Sequence, residues 1–100
     1  MKSRFHDAAD EELIETVAYY DGKAPGLGDR FLAEVKAATR FVEEYPEIAP
    51  VTFEGVRSRV LAKFPYSLLY VVDQHELYVL AVAHHSRRPA YWVDRLPQRG

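Results

Sequence analysis

The sequence predicts an α+β fold, with an N-terminal antiparallel helical hairpin packed on one face of a three- to four-stranded antiparallel β-sheet. Three observations predict it. Apolar residues recur at helical intervals through the first half of the chain. A loop with two prolines follows, and the apolar period then changes to two. The link between the two predicted helices is short, which favours an antiparallel pair. One hundred residues is the length of a single domain with one modest core. The hairpin is expected over about 8–45, the sheet over about 56–85 and a tail over 86–100.

Each element has a local reason. Lys2 to His6 reads as an edge strand or an unstructured start. Asp7 reads as an N-cap, and Asp10, Glu11 and Glu12 crowd a first turn where the helix dipole favours anions. Leu13, Ile14, Val17, Ala18 and Tyr20 follow at helical spacing, so a first helix is expected from about Ala8 to Tyr20. Asp21-Gly22 is expected to end it, before the breaker cluster Lys23-Ala24-Pro25-Gly26. Phe31, Val35, Ala38, Val42 and Tyr45 recur at intervals of four, three, four and three. Charged residues hold the other positions, as in a one-sided second helix. Pro46 ends it by pushing Tyr45 out of helical geometry.

After the loop, Val56, Ser58, Val60, Ala62 and Phe64 alternate with Arg57, Arg59, Leu61 and Lys63. That is a half-buried strand with three cations on its second face, closed by Pro65. Tyr66 to Val72 is the next strand, rich in aromatic and branched residues. Asp73-Gln74-His75 is a hairpin connection. Glu76 to about His85 is the last strand and is apolar on both parities, so it is expected to be central or covered on both faces. Pro89 to Leu96 reads equally as a short helix or a wrapped tail.

Composition excludes several function classes. There is no cysteine, hence no disulfide framework and no thiolate metal site. No apolar run has spanning length and the N-terminus lacks a signal-peptide core, so the cytoplasm is the expected compartment and no membrane partner is expected. The net charge of −2 argues against a simple nucleic-acid binder. Charge is uneven, however. Asp7 to Glu54 holds twelve acidic and four basic residues, and Gly55 to Gly100 holds seven basic, three acidic and three histidines. One face is thus suited to an anionic partner.

The candidate chemistry lies at the end of the last strand. His84, His85, Ser86, Arg87, Arg88, Tyr91 and Trp92 fall within nine residues. His84 and His85 point to opposite sheet faces if the strand stays regular, and one of them joins the Arg57, Arg59 and Lys63 row. Such a surface suits phosphodiester chemistry without a metal: arginines neutralise the phosphate, and a histidine or tyrosine exchanges protons with the 2′-oxygen or leaving oxygen. Equally, the arginines can be solubilising residues on an open sheet. Adjacent histidines on a strand diverge, so no metal site is expected, and no cofactor loop is present because the glycines are scattered. Seven tyrosines and one tryptophan suffice for a protein interface as well as a core.

The order ααβββ, the segment Phe64-Pro65-Tyr66-Ser67-Leu68-Leu69-Tyr70 and the run Val79-Leu80-Ala81-Val82-Ala83-His84-His85-Ser86-Arg87-Arg88-Pro89-Ala90-Tyr91-Trp92 resemble the RelE/ParE superfamily of bacterial type II toxins. The resemblance extends from about Arg4 to Trp92. It implies a small toxin neutralised by a cognate antitoxin, with which it can form a hetero-oligomer. It also implies one of two mechanisms. RelE-like members cleave mRNA in the ribosomal A site without a metal, whereas ParE-like members poison DNA gyrase. Under RelE-like cleavage the catalytic set would be His85, Tyr91, Arg87 and Arg59. For target contact the resemblance and the strand pattern together nominate Arg57, Arg59, Lys63, His84, Arg87, Arg88, Tyr91 and Trp92. Ser67 stands where RelE-like toxins often carry arginine, and the His-Ser-Arg-Arg-Pro-x-Tyr-Trp ending is more similar to plasmid-stabilisation proteins grouped with ParE. Gyrase inhibition is therefore the leading expectation, RelE-like cleavage the alternative, and a non-toxic antitoxin-binding module the third.

Overall fold

A computed structural model describes residues 1–97; the last three positions of the expected tail lie outside the described residues. The elements are β1 (Ser3–Phe5), α1 (Asp7–Lys23), α2 (Leu27–Glu44), β2 (Arg57–Val60), β3 (Tyr66–Asp73) and β4 (Glu76–His84), followed by a short 3-10 turn at Val93–Arg95. The sheet order is β1-β4-β3-β2. The α+β class and the helical hairpin on one face are as expected. One detail of the sheet differs: β1 runs parallel to β4, with Ser3 opposite Leu77 and Phe5 opposite Val79, so the sheet is mixed. Two intervening helices and two strands supply the long crossover that a parallel pair needs.

Both helices depart from their expected ends. The N-cap of α1 is His6, whose Nδ1 accepts a hydrogen bond from the Ala8 amide at 3.0 Å; Asp7 is the first helical residue. The helix continues through Asp21 and Gly22 to Lys23, because Asp21 is used elsewhere. Its Oδ1 accepts the Gly28 amide of α2 at 2.8 Å, which satisfies a first-turn donor that the N-cap Gly26 cannot reach with a side chain. Ile14 and Ala18, expected on the buried stripe, are exposed. The stripe of α1 is instead Ala9, Leu13, Thr16, Val17 and Tyr20. In α2, Phe31, Val35, Ala38 and Val42 are buried as their spacing requires, whereas Tyr45 caps the end and is exposed.

The sheet has a core on each face. On the helix side, Phe31, Val35 and Val42 pack with Leu68, Tyr70, Leu77, Val79 and Val82; Phe64 and Tyr66 meet Phe31 edge-on and Tyr20 lies tilted against it. On the other side, Val56, Leu69, Val71, Tyr78, Leu80, Ala81 and Ala83 pack beneath Trp92, Tyr91 and Leu96 of the tail. Pro89 to Leu96 is thus a wrapped strap, and it explains why β4 is apolar on both parities. The β3–β4 hairpin turns at Gln74 and His75, both left-handed at φ 48° and 66°. Two such residues make the mirror-image turn that suits the strand twist.

β2 is shorter than its alternation suggested. The strand ends at Val60, and Lys63 lies in the bend before Pro65. The alternation itself holds from Val56 to Leu61, but with the faces reversed. Val56 packs in the outer core, while Arg57 and Arg59 pair with Tyr70 and Leu68 of β3 and point toward the helices.

Candidate functional site

β4 carries a bulge. Leu69 faces Ala81 and Tyr70 faces Val79, so Leu80 is an extra residue on β4. Leu80 and Ala81 therefore both belong to the outer face, and the parity flips beyond them. His84 emerges on the helix side, with its ring edge-on to Tyr66 at 4.9 Å. His85 emerges on the outer face, where its Nε2 lies 3.0 Å from Oγ of Ser67. The two histidines diverge, as adjacent strand residues should.

Around His85 the outer face forms a shallow hollow lined by Ser58, Ser67, Arg87, Arg88, Tyr91 and Trp92. His85, Arg87 and Arg88 are exposed, Tyr91 is half-buried and Trp92 is a buried member of the outer core. The Ser86 amide and hydroxyl contact His84 Nδ1 at 2.9 and 2.7 Å, holding the turn after the strand. The hollow can take a hydrogen-bonding, anionic or aromatic group: hydroxyls and an imidazole sit at its floor and two guanidiniums at its rim.

The expected cationic row does not reach this hollow. Arg57 donates to the carbonyls of Glu47 and Ala49 at 3.0 and 2.8 Å. Arg59 lies 4.3 Å over the ring of Phe41. Both are on the helix side, and Arg57 offsets part of the upward push that burial gives the Tyr70 hydroxyl. Lys63 is in the 61–65 bend, where its backbone amide bonds to Glu34. Arg59, grouped with His85 in the cleavage set, is therefore on the opposite face from it, because the strand presents its arginines to the helix layer, and the histidine that shares their face is His84. His84 is likewise on the opposite face from His85.

Tyr91 is held by a residue that the sequence reading treated only as a helix-dipole partner. Glu12 accepts the Tyr91 hydroxyl on Oε2 at 2.7 Å. It also accepts both terminal nitrogens of Arg95, at 2.9 and 3.1 Å, and the Val82 amide at 3.0 Å. Arg95 in turn donates to the Leu80 carbonyl at 3.0 Å. The carboxylate and guanidinium side chains are only 14% and 17% exposed. They occupy the β4 edge just past the end of β1, where Leu80 and Val82 have no strand partner on that side. Burial, then the bond to Glu12, push the Tyr91 hydroxyl well above the usual phenol range. Burial opposes the Arg95 charge, but Glu12 more than offsets this and holds its pKa up. One signal for Glu12 was available: with Ala9, Leu13 and Thr16 it sits on the buried stripe of α1, and an acid there needs a partner. Ser58 and Ser67 at the floor of the hollow carried no comparable signal.

Among the described residues, no cluster of three or more His, Asp or Glu is arranged to hold a metal ion, and no helix is long and apolar enough to cross a membrane.

Comparison with known proteins places this geometry. Residues 4–89 match the family model described as "ParE toxin of type II toxin-antitoxin system, parDE". Proteins described as "Toxin ParE2" from two strains of Mycobacterium tuberculosis, CDC 1551 / Oshkosh and H37Rv, are each 29% identical over 87 residues. Each alignment covers 86% of this chain and 83% of the relative. A solved structure described as "Chromosomal ParDE TA system from P. aeruginosa" superposes with a TM-score of 0.64 at 19% identity, covering 84% of this chain and 95% of that one; at that identity it speaks for the fold. The match runs through both helices, all four strands and the His84–Arg88 end of the signature, and on that basis the chain belongs to the ParE toxin family of type II toxin–antitoxin systems.

Proposed function

We propose that the chain arrests bacterial growth by binding DNA gyrase, and that a cognate antitoxin neutralises it by covering part of its surface. The match of residues 4–89 to the ParE toxin model carries this reading. The geometry supports recognition over acid–base chemistry. The Tyr91 hydroxyl is committed to Glu12, and Arg59 is committed to Phe41. A general acid must be able to give up its proton near the working pH, whereas this phenol is held protonated. His85 at the floor of the hollow and Arg87 and Arg88 at its rim remain exposed for target contact. No cofactor or metal is needed, and the target places the protein in the cytoplasm.

An antitoxin has apolar surface to cover. Tyr45, Ile48, Val51, Phe53 and Val60 are all about half exposed or more, and they cluster in sequence around the sheet-edge strand β2 and the loop before it. Exposed apolar side chains in such numbers favour a protein partner.

The test is a supercoiling assay with purified toxin and gyrase. Inhibition that added antitoxin reverses is the expected result. Unaffected gyrase together with A-site cuts in a translating ribosome assay overturns the reading in favour of RelE-like cleavage. One observation favours that second reading: the Ser67–His85 contact beside Arg87 and Arg88 places an imidazole in a cationic hollow. Harmless expression in a sensitive host lacking antitoxin would leave a binding module.

A further inference from the structure

The hollow at His85 is built by the outer face of the sheet and the strap, yet its rim is tied to the helix layer. Arg87 lies with its guanidinium carbon 3.9 Å over the ring of Tyr91. That ring is fixed at its far end by Glu12. Glu12 is fixed by Arg95, which approaches the same ring from 5.0 Å, and by the Val82 amide. A guanidinium on an exposed turn otherwise samples many rotamers, and holding it costs conformational entropy. Stacking on an immobilised aromatic face removes part of that cost before any partner arrives.

We infer that Glu12, on α1, is a positioning residue for target contact: through the Tyr91 ring it holds the Arg87 guanidinium at the rim of the His85 hollow. The chain of contacts is short and each link has a distinct chemistry. The carboxylate needs its charge to hold Arg95. It needs both oxygens, since Oε1 takes Val82 and Arg95 while Oε2 takes Tyr91 and Arg95. Tyr91 needs its hydroxyl to be steered and its ring to carry Arg87. Arg87 needs its planar cation to stack, which lysine reproduces poorly.

The inference rests on the target-binding reading of the hollow, so the experiment separates the two. Wild-type protein, Glu12→Gln, Tyr91→Phe, Arg87→Ala and the double variant Glu12→Gln/Arg87→Ala are compared in three measurements: gyrase supercoiling inhibition, growth arrest on induction, and thermal melting. Glu12→Gln and Arg87→Ala are each expected to weaken inhibition roughly fivefold or more, the scale of a fixed guanidinium contact. The double variant is expected to inhibit no worse than Arg87→Ala, because the carboxylate acts through that arginine. Its melting temperature, by contrast, is expected to fall as far on adding Glu12→Gln as it does in the wild-type background. A merely structural Glu12 predicts the opposite: inhibition lost by the same factor with or without Arg87. That additive outcome overturns the inference, as does an Arg87→Ala protein as potent as wild type. Should Glu12→Gln fail to fold, Tyr91→Phe keeps the Glu12–Arg95 pair and the ring, and inhibition equal to wild type in that variant also overturns it. If wild-type protein leaves gyrase untouched, the gyrase reading fails, and the same cycle is read on growth arrest, which depends on no assumed target.

Discussion

Gly28 offers a test in which two well-understood effects have opposite signs. It lies in the first turn of α2, and an added methyl group there would meet the Val17 carbonyl oxygen of α1 at 2.4 Å. The same methyl would sit 2.6 Å from the Asp21 carboxyl carbon and Oδ1. Ordinary contact begins at 3.4 Å, so the two helices must part by about 1 Å or the turn must twist. Helix propensity favours alanine over glycine by ~1 kcal/mol. Against it stand the overpacking cost, typically ~1–3 kcal/mol, and loss of the Asp21–Gly28 hydrogen bond, ~1 kcal/mol. The contact with Val17 involves backbone on a packed helix and cannot relax by turning a side chain. Gly28→Ala should therefore destabilise by roughly 1–3 kcal/mol, a fall of about 5–20 °C in melting temperature for a domain of this size. Gly22→Ala in α1 is the control. Nothing lies within 4 Å of its added carbon, so propensity acts alone and the melting temperature should rise by roughly 2–8 °C. Thermal melts of the two variants by circular dichroism decide the matter. A Gly28→Ala protein that melts at or above wild type would show that the hairpin has slack at this crossing and that the close approach is not a constraint.

Further predictions follow from the same contacts. Phe31→Ala removes the fully buried ring at the centre of the Tyr20, Phe64 and Tyr66 cluster; a loss of ~3–5 kcal/mol is expected in urea unfolding. Arg57→Ala should lower stability by ~1–2 kcal/mol, since the buried Ala49 carbonyl loses its donor, while target inhibition stays unchanged; Arg88→Ala should do the reverse. The raised pKa of Tyr91 gives a pH signature. A hydroxyl whose folded pKa lies above its ordinary value of 10 contributes stability that is complete below pH 10 and is lost as pH rises beyond it. The urea midpoint should therefore fall above pH 10, and fall less steeply in Tyr91→Phe. At the β3–β4 turn, replacing Gln74-His75 by Asn-Gly relieves two left-handed non-glycine residues and should raise the melting temperature by roughly 4–8 °C, about 1 kcal/mol.

The parts of the fold that repeat were legible in the sequence. Phe31, Val35, Ala38 and Val42 bury as their spacing dictates, and the doubly apolar β4 is indeed covered on both faces. What was not legible depends on side chains far apart in the chain. Asp21 looked like a helix stop because Asp-Gly commonly is one, yet it serves Gly28 in the next helix. The alternation of Val56 to Leu61 showed that two faces exist and not which of them meets the helices. Arginine was assigned to solvent by default, whereas Arg57 finds backbone carbonyls and Arg59 an aromatic face on the helix side. For the candidate site, the cluster from His84 to Trp92 was visible as composition. That the two histidines diverge was expected; which of them takes the outer face was not legible, because it turns on a bulge. The one signal for Glu12 was masked for a different reason: its partners Tyr91 and Arg95 are about eighty positions away, and the sequence placed it in a first turn, where an acid has a local explanation, whereas the helix starts at Asp7 and Glu12 lies in the second turn.

The bulge at Leu80 makes the polar end of β4 sensitive to chain length as well as to side-chain identity. Each residue before it and each after it keeps strict alternation, and because the extra residue is absorbed in the bulge and not in the ladder, it is His85 that meets Ser67. Deleting Leu80 would make Val79 and Ala81 consecutive opposite Tyr70 and Leu69, closing the ladder and leaving His84 and His85 on the faces they hold. Inserting one residue beyond the bulge would do the opposite: it would rotate everything downstream by half a pleat, sending His84 toward the hollow and His85 toward Tyr66. The strap that follows would leave the sheet from the wrong side, and Arg95 would no longer arrive beside Glu12. A single-codon gain in the middle of a hydrophobic strand would thus dismantle the hollow as completely as any substitution within it, without altering one residue that lines it.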